Sequence, residues 1–148
     1  MQTIVVRRVI HAPIEKVFDL ISDHEGYRSF PGVRDAVLVK KGKRNKNGVG
    51  AVREIDAGIA WFREEITAYD RPTRMDYKIT QSRPPLEHQG ASVQLQQTAD
   101  GTEVTWSSTM RVRIPLIGGL LTRLVAPQMA RAFAGTLKDV GRRLAKAA

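Results

Sequence analysis

Two charged side chains and one hydroxyl in this sequence could carry chemistry: Arg53, Glu64 and Tyr77. A two-residue turn at Gly58-Ile59 would place Arg53 directly opposite Glu64 on the apolar face of two paired strands. A charge on an apolar face is costly unless it is paired, and an arginine–carboxylate pair meets that need. The pair could be purely structural, could face solvent if the strands shift, or could anchor a carbonyl or hydroxyl of a bound ligand.

Tyr77 projects to the same face of the predicted sheet. Its hydroxyl could be a satisfied core group, a ligand hydrogen bond or a general acid. We expect a cavity here: each apolar neighbour taken singly fits core packing better, but taken together these residues could equally line a cavity. The catalytic residues stay unassigned. The predicted ligand-binding residues are Arg53, Ile55, Phe62, Glu64, Tyr77, Ile79, Leu95, Trp106, Met110, Leu124, Met129 and Phe133.

Metal and cofactor chemistry have no support in the sequence. The three histidines, His11, His24 and His88, are far apart and lack metal-ligand spacing, and the chain has no cysteine. Only His88, at the end of a predicted flexible segment at 82–88, is a candidate site residue. Gly48-Val49-Gly50 lacks the third glycine of a dinucleotide motif. We therefore predict no metal and no cofactor.

The elements that position these residues follow from hydrophobic periodicity. A strand-like start at 3–10 precedes a helix whose first turn holds Pro13 and whose apolar stripe ends at Ile21, and a second short helix is expected at 23–30. Most of the stretch from Val33 to Arg113 alternates with period two, which indicates a meander of strands with one apolar face.

Two further turns set the register of that meander. A turn centred on Asp100-Gly101 would pair Leu95 with Trp106. A turn at Arg71-Pro72 would pair Ile66 with Tyr77. The same turn would also pair Ala68 with Met75. Each pairing keeps one mainly apolar set on one face of the sheet, as a real register should.

The chain from Ile114 to Ala148 reads as a long amphipathic helix. A continuous helix of about 30 residues would run about 45 Å, whereas a domain of this size is about 35–40 Å across. We therefore expect a kink at Pro127 and a frayed start at Gly118-Gly119. Its apolar repeat, expected to cover one broad face, is Ile117, Leu120, Leu121, Leu124, Met129, Phe133, Leu137, Val140 and Leu144.

This order of elements resembles the START-like (SRPBCC, polyketide cyclase/dehydrase-like) superfamily. The resemblance rests on residues 12–23, on 27–33 (Tyr-Arg-Ser-Phe-Pro-Gly-Val), on 65–72 and on 101–106, and it covers nearly the whole chain. It implies an α+β helix-grip fold, with a curved antiparallel sheet wrapped around a long C-terminal helix and two short helices after the first strand. We expect residues 1–148 to form one ligand-binding domain.

Charge leaves the partners open. The net charge is +9, and residues 40–46 hold five cations and no anion. These stretches could be solvated surface or could attract RNA, a membrane surface or an acidic ligand, although they lack the interleaved aromatic residues of single-strand binders. We expect no DNA partner and a monomer or dimer. The chain has no segment like a signal peptide or a membrane span, which predicts a cytoplasmic location.

The resemblance implies binding or transport of a hydrophobic small molecule (lipid, polyketide-like or isoprenoid) between sheet and helix. A cyclase or dehydratase using the same cavity is the enzymatic alternative, with Glu64, Arg53 and Tyr77 as its acid–base and anchoring groups. A ribosome- or RNA-associated interaction module is the third interpretation. Members of one superfamily differ in activity, so the fold alone does not choose among them.

Overall fold

The computed structural model describes residues 1–148 as one antiparallel sheet with a long helix across it. The seven strands lie in the order β1-β7-β6-β5-β4-β3-β2, which confirms the predicted α+β helix-grip fold. The elements in chain order are β1 (Gln2–Ile10), α1 (Ile14–Ile21), a 3-10 helix (Glu25–Ser29), β2 (Asp35–Lys40), β3 (Val52–Asp56), β4 (Trp61–Asp70), β5 (Arg74–Arg83), β6 (Leu86–Thr98), β7 (Gly101–Val112) and α2 (Gly118–Ala147).

The sheet keeps one face for the core because its strands alternate. In β7, every second residue from Thr102 to Val112 is buried, and most of those between are partly exposed. The buried set of β7 packs with inward residues of β5 and β6, α1 and α2 into one apolar core. No helix of the protein is long and apolar enough to cross a membrane.

The register of β3 and β4 agrees with the sequence prediction. Arg53 lies opposite Glu64, and Ile55 lies opposite Phe62. One strand further, Ile66 lies opposite Tyr77 as predicted, but the register then shifts between Ile66 and Ala68. Ala68 therefore pairs with Asp76, and the predicted pairing of Ala68 with Met75 is wrong, because an extra residue in β4 forms a bulge.

The predicted register of β6 and β7 is wrong by two residues. The turn residues are Ala99 and Asp100, so Leu95 lies opposite Val104 and not Trp106. Gly101 is instead the first residue of β7, with a φ of +132°, and a side chain there would collide with the carbonyl oxygen of Ile10. Close approach of β1 explains the glycine, and a two-residue slip leaves every side chain on its predicted face.

Helix α2 continues through Pro127 and packs on the sheet through two different kinds of surface. Beyond the proline, its buried residues include Phe133, Leu137 and Val140. Before the proline, the buried residues are small: Gly118, Thr122 and Ala126. The large apolar residues of this first half, Ile117, Leu120 and Leu124, are 50%, 60% and 57% exposed. The prediction of one continuous apolar face is therefore wrong for the first half of the helix.

Small residues bring the start of α2 close to the backbone of β7. A side chain at Gly118 would place its Cβ 2.5 Å from the carbonyl oxygen of Val112. Thr122 closes the contact, since its hydroxyl accepts a hydrogen bond of 2.9 Å from the Val112 N–H and donates one of 2.7 Å to the Gly118 carbonyl. Bulkier residues on this face would force helix and sheet apart.

The segment 82–88, predicted to be flexible, is mostly strand. Only Pro84 and Pro85 lie outside β5 and β6. The Ser82 hydroxyl fixes the turn, because it donates to the Pro84 carbonyl and accepts from the Leu86 N–H. His88 consequently belongs to β6 and lies in the sheet.

Candidate functional site

A mainly apolar cavity of about 140 Å³ lies between the sheet and the second half of α2. It is partly open to solvent, and it extends from the strands β3–β5 to the loop that follows the 3-10 helix. Its lining residues are Tyr27, Pro31, Gly32, Val33, Ile55, Ala57, Phe62, Glu64, Tyr77, Ile79, Met129, Ala132, Phe133 and Thr136.

A buried ion pair forms the polar end of this cavity. Arg53 Nε donates a hydrogen bond of 2.8 Å to Glu64 Oε1, and the two residues are 1% and 5% exposed. The strand register brings them together, because both alternate onto the concave face. Glu64 Oε2 has no hydrogen-bond partner in the protein. Since Glu64 lines the cavity, this oxygen is an acceptor available to a ligand.

The Arg53 guanidinium lies between two tyrosine rings. Its Cζ is 4.6 Å from the ring centre of Tyr27 and 4.8 Å from that of Tyr77, distances at which a cation is attracted to each ring face. Its Nη1 donates to His24 Nδ1 at 3.1 Å, and His24 Nε2 donates to the Asn47 carbonyl at 2.8 Å. These contacts fix the arginine and orient the Nε donor toward Glu64.

The protonation states of this network follow from burial and charge. Burial lowers the pKa of His24 to about 3, and the positive charge of Arg53 acts in the same direction. Burial also raises the pKa of Glu64, and Arg53 opposes this only in part. For Arg53, burial would lower the pKa, but attraction to Glu64, Tyr27 and Tyr77 together outweighs burial and raises the pKa. At neutral pH His24 is therefore neutral and Arg53 is charged.

Tyr77 presents a hydroxyl that can still donate. It accepts a hydrogen bond of 3.0 Å from Trp106 Nε1, and no protein acceptor receives its proton. Burial, and next the nearby charge of Glu64, raise the pKa of Tyr77 well above its usual value, so the hydroxyl stays protonated. Trp106 in turn stacks on the cavity residue Phe133, with ring centres 4.3 Å apart.

The structure gathers most of the predicted binding residues at this cavity. Those that line it are Ile55, Phe62, Glu64, Tyr77, Ile79, Met129 and Phe133. Arg53 lies outside the lining but holds Glu64. Leu95, Trp106 and Met110 are buried in the core outside the lining, and Leu124 is 57% exposed on the far side of α2.

Several site residues were not singled out from the sequence. His24 and Tyr27 contact Arg53 because the 3-10 helix packs against β3, and a sequence pattern gives no measure of that packing. Residues 31–33 complete the rim of the cavity. A signal was present in the Pro31-Gly32 pair, since Gly32 has a φ of +81° that suits a glycine in a tight turn.

His88, the histidine that the sequence predicted as a candidate site residue, forms hydrogen bonds through both ring nitrogens within the sheet. Its Nδ1 accepts a hydrogen bond of 2.9 Å from the Ile79 N–H, and its Nε2 donates one of 2.9 Å to the Ser108 hydroxyl. Burial lowers the pKa of His88 to about 4, assisted by the charge of Lys78. Both ring nitrogens are therefore occupied, which indicates a structural role. No group of three or more acidic or histidine side chains in the protein could hold a metal ion.

Comparison with known proteins supports the same fold. The profile of the family described as "Polyketide cyclase / dehydrase and lipid transport" matches residues 1–148. Among solved structures, the chain is similar to TTHA0849 of Thermus thermophilus (22% identity, TM-score 0.79, 99% of each chain covered). It is also similar to a START superfamily protein of Mycobacterium smegmatis (14% identity, TM-score 0.77, 99% of each chain).

A third similar structure is DynU16, from the dynemicin biosynthetic locus (15% identity, TM-score 0.68, covering 97% of this chain and 47% of that one). A search of curated protein sequences finds no match. At these sequence identities the solved structures show only that the fold is shared. Together with the family profile, they confirm the resemblance to the START-like superfamily.

Proposed function

Because the chain belongs to the polyketide cyclase/dehydrase and lipid transport family, we propose that it binds a small hydrophobic molecule in the cavity between the sheet and α2. One observation carries the proposal: an apolar cavity contains an unpartnered carboxylate oxygen of Glu64 and lies against a tyrosine hydroxyl that lacks an acceptor. Ligand sites typically combine an apolar lining with a few placed polar groups that fix orientation.

The size of the cavity limits what it holds. A cavity of about 150 Å³ accommodates one benzene ring, which is close to the volume found here. The bound part of the ligand is therefore about one six-membered ring or a short branched chain. A longer lipid, isoprenoid or polyketide-like molecule would extend through the open side, between residues 31–33 and α2.

The polar groups select the chemistry of that bound part. Glu64 Oε2 accepts a hydrogen bond, and the Tyr77 hydroxyl donates one. A ligand hydroxyl satisfies both, since it has one donor and two acceptor lone pairs. We therefore expect a hydroxylated ring or terpenoid alcohol to bind more tightly than the corresponding hydrocarbon. A hydrogen bond to a charged group contributes about 1.5–3 kcal/mol, or about 10- to 150-fold in affinity.

Binding of phenol and toluene, measured by nuclear magnetic resonance and by tryptophan fluorescence, tests this proposal. Phenol should bind more tightly to the wild type, and Glu64→Gln should remove most of that preference. Ala132→Phe adds a ring at the open side of the cavity, which Ala132 lines, and should weaken binding. Ala145→Phe, at an exposed position of the same helix, is the matched control. Equal binding to the wild type and Ala132→Phe would show that the ligand does not use this cavity.

A second function, proton transfer in the same cavity, is favoured by the raised pKa of Glu64. A carboxylate of raised pKa can take a proton from carbon next to a carbonyl, while the Tyr77 hydroxyl stabilises the developing enolate oxygen. Glu64→Gln distinguishes the two functions. An enzyme should lose turnover and keep its substrate affinity within a few-fold, whereas a carrier should show only the change in affinity.

A further inference from the structure

The loop before α2 and the first turns of that helix expose an apolar patch. It consists of Leu116, Ile117, Leu120 and Leu124, which are 106%, 50%, 60% and 57% exposed. Positions 117, 120 and 124 are three and four residues apart, so their side chains share one face of the helix. Four large aliphatic side chains side by side on a surface are unusual for a protein without a partner there.

Packing of the helix keeps this patch outside the core. The opposite face carries the small residues Gly118, Thr122 and Ala126, and these make the contact with the sheet. The backbone at Leu116 has a φ of +70°, an uncommon conformation for a leucine. Its side chain is fully exposed, so no core contact offsets the strain. An exposed leucine in a strained loop indicates a role outside the isolated chain.

The chain segments that carry the patch are positively charged. Arg113, Arg123 and Arg131 are exposed and form no ion pair within the protein. No acidic residue occurs between Glu103 and Asp139. Helix α2 also begins with no side-chain cap and no acidic residue in its first turn, so its positive end faces the same region.

We propose that this patch docks the protein on an anionic lipid bilayer. The four aliphatic side chains enter the boundary between headgroups and acyl chains, and the arginines pair with lipid phosphates, as in interfacial amphipathic helices. A second copy of the chain fits less well, because a symmetric contact would bring Arg113 and Arg123 of both copies together. RNA also fits less well, because aliphatic side chains offer no ring on which bases stack.

Co-sedimentation with vesicles tests the proposal, using phosphatidylcholine alone and phosphatidylcholine mixed with phosphatidylglycerol. The wild type should bind the mixed vesicles, and added salt should weaken that binding. The double variant Leu120→Ser/Leu124→Ser should bind at least about tenfold more weakly, since it removes two of the four insertion groups. Arg123→Glu should also weaken binding.

Matched controls come from the same chain. Ile59, which is 90% exposed in the β3–β4 turn, and Arg8, exposed on β1, lie outside the patch. Ile59→Ser and Arg8→Glu should bind the mixed vesicles as the wild type does. All these sites are exposed, so circular dichroism should show folded variants. Two results would overturn the proposal: unchanged vesicle binding by the double leucine variant, or a dimer in ultracentrifugation that the same variant converts to monomer.

Discussion

Removing the cation from the buried ion pair gives the sharpest prediction. Arg53→Met keeps an unbranched apolar stem but leaves the Glu64 carboxylate without its 2.8 Å partner. The two tyrosine rings lose their cation, and His24 Nδ1 loses its donor. The variant therefore tests whether the network is held together by the charge pair or merely packed around it.

The expected loss is large for a single substitution. Breaking a buried pair by removing one partner costs about 3–5 kcal/mol, because it leaves an uncompensated buried charge. For a domain of this size each kcal/mol lowers the melting temperature by about 2–4 °C. We therefore expect Arg53→Met to melt about 6–20 °C below the wild type at pH 7.

The pH dependence gives an independent check. Burial already raises the pKa of Glu64, and loss of Arg53 raises it further. Folding of the variant then takes up a proton, so its stability increases relative to the wild type as the pH falls. The deficit should shrink between pH 7 and pH 5, by at most about 1.4 kcal/mol per pH unit.

Urea unfolding followed by circular dichroism, at pH 7 and pH 5, measures both effects. The control is the double variant Arg53→Met/Glu64→Leu, which removes both charges and should recover most of the lost stability. A loss below about 1 kcal/mol for Arg53→Met, or a double variant as unstable as the sum of its two single variants, would refute this account of the pair.

Two further predictions concern the rest of the fold. The pKa values of His24 and His88 are lowered to about 3 and about 4. The stability that these two groups provide in the neutral form is therefore present above pH 6.5, and it falls by about 2 kcal/mol for each histidine by pH 5. His88→Gln should remove about half of this pH dependence of the unfolding free energy, measured from urea midpoints. Gly118→Ala should destabilise α2 by about 1–3 kcal/mol, because its Cβ would lie 2.5 Å from a carbonyl oxygen. At Gly119 an added side chain would contact no other atom, so Gly119→Ala should instead stabilise α2 by about 1 kcal/mol in thermal melts. A Gly118→Ala variant as stable as the wild type would contradict the close packing of α2 on β7.

The sequence predicted the part of the site that depends on one local turn. The Gly58-Ile59 turn and strict alternation place Arg53 opposite Glu64, and both are properties of neighbouring residues. The register of β6 and β7 was predicted wrongly because Gly101 is required by close contact with β1, more than ninety residues away in the chain, and not by the turn. Alternation survives a two-residue slip, so the faces were right although the partners were not.

The contacts around Arg53 depend on packing between distant elements. His24 and Tyr27 reach it from the 3-10 helix, 29 and 26 residues earlier in the chain, and neither forms part of a periodic pattern. The apolar repeat of α2 failed for a related reason. A helix with large residues on one face and small ones on another can bury either, and only contact with the sheet decides which.

Two contacts that hold α2 limit how the cavity exchanges its contents. Thr122 hydrogen-bonds to Val112 before the cavity residues of α2, and Arg143 donates to the carbonyl and hydroxyl oxygens of Ser29 beyond them. Hydrogen bonds therefore hold α2 in place on both sides of the cavity, and we expect it to be rigid there. A ligand would then enter and leave past residues 31–33, which lie opposite α2. The rate of ligand release should depend on the motion of these three residues more than on motion of the long helix.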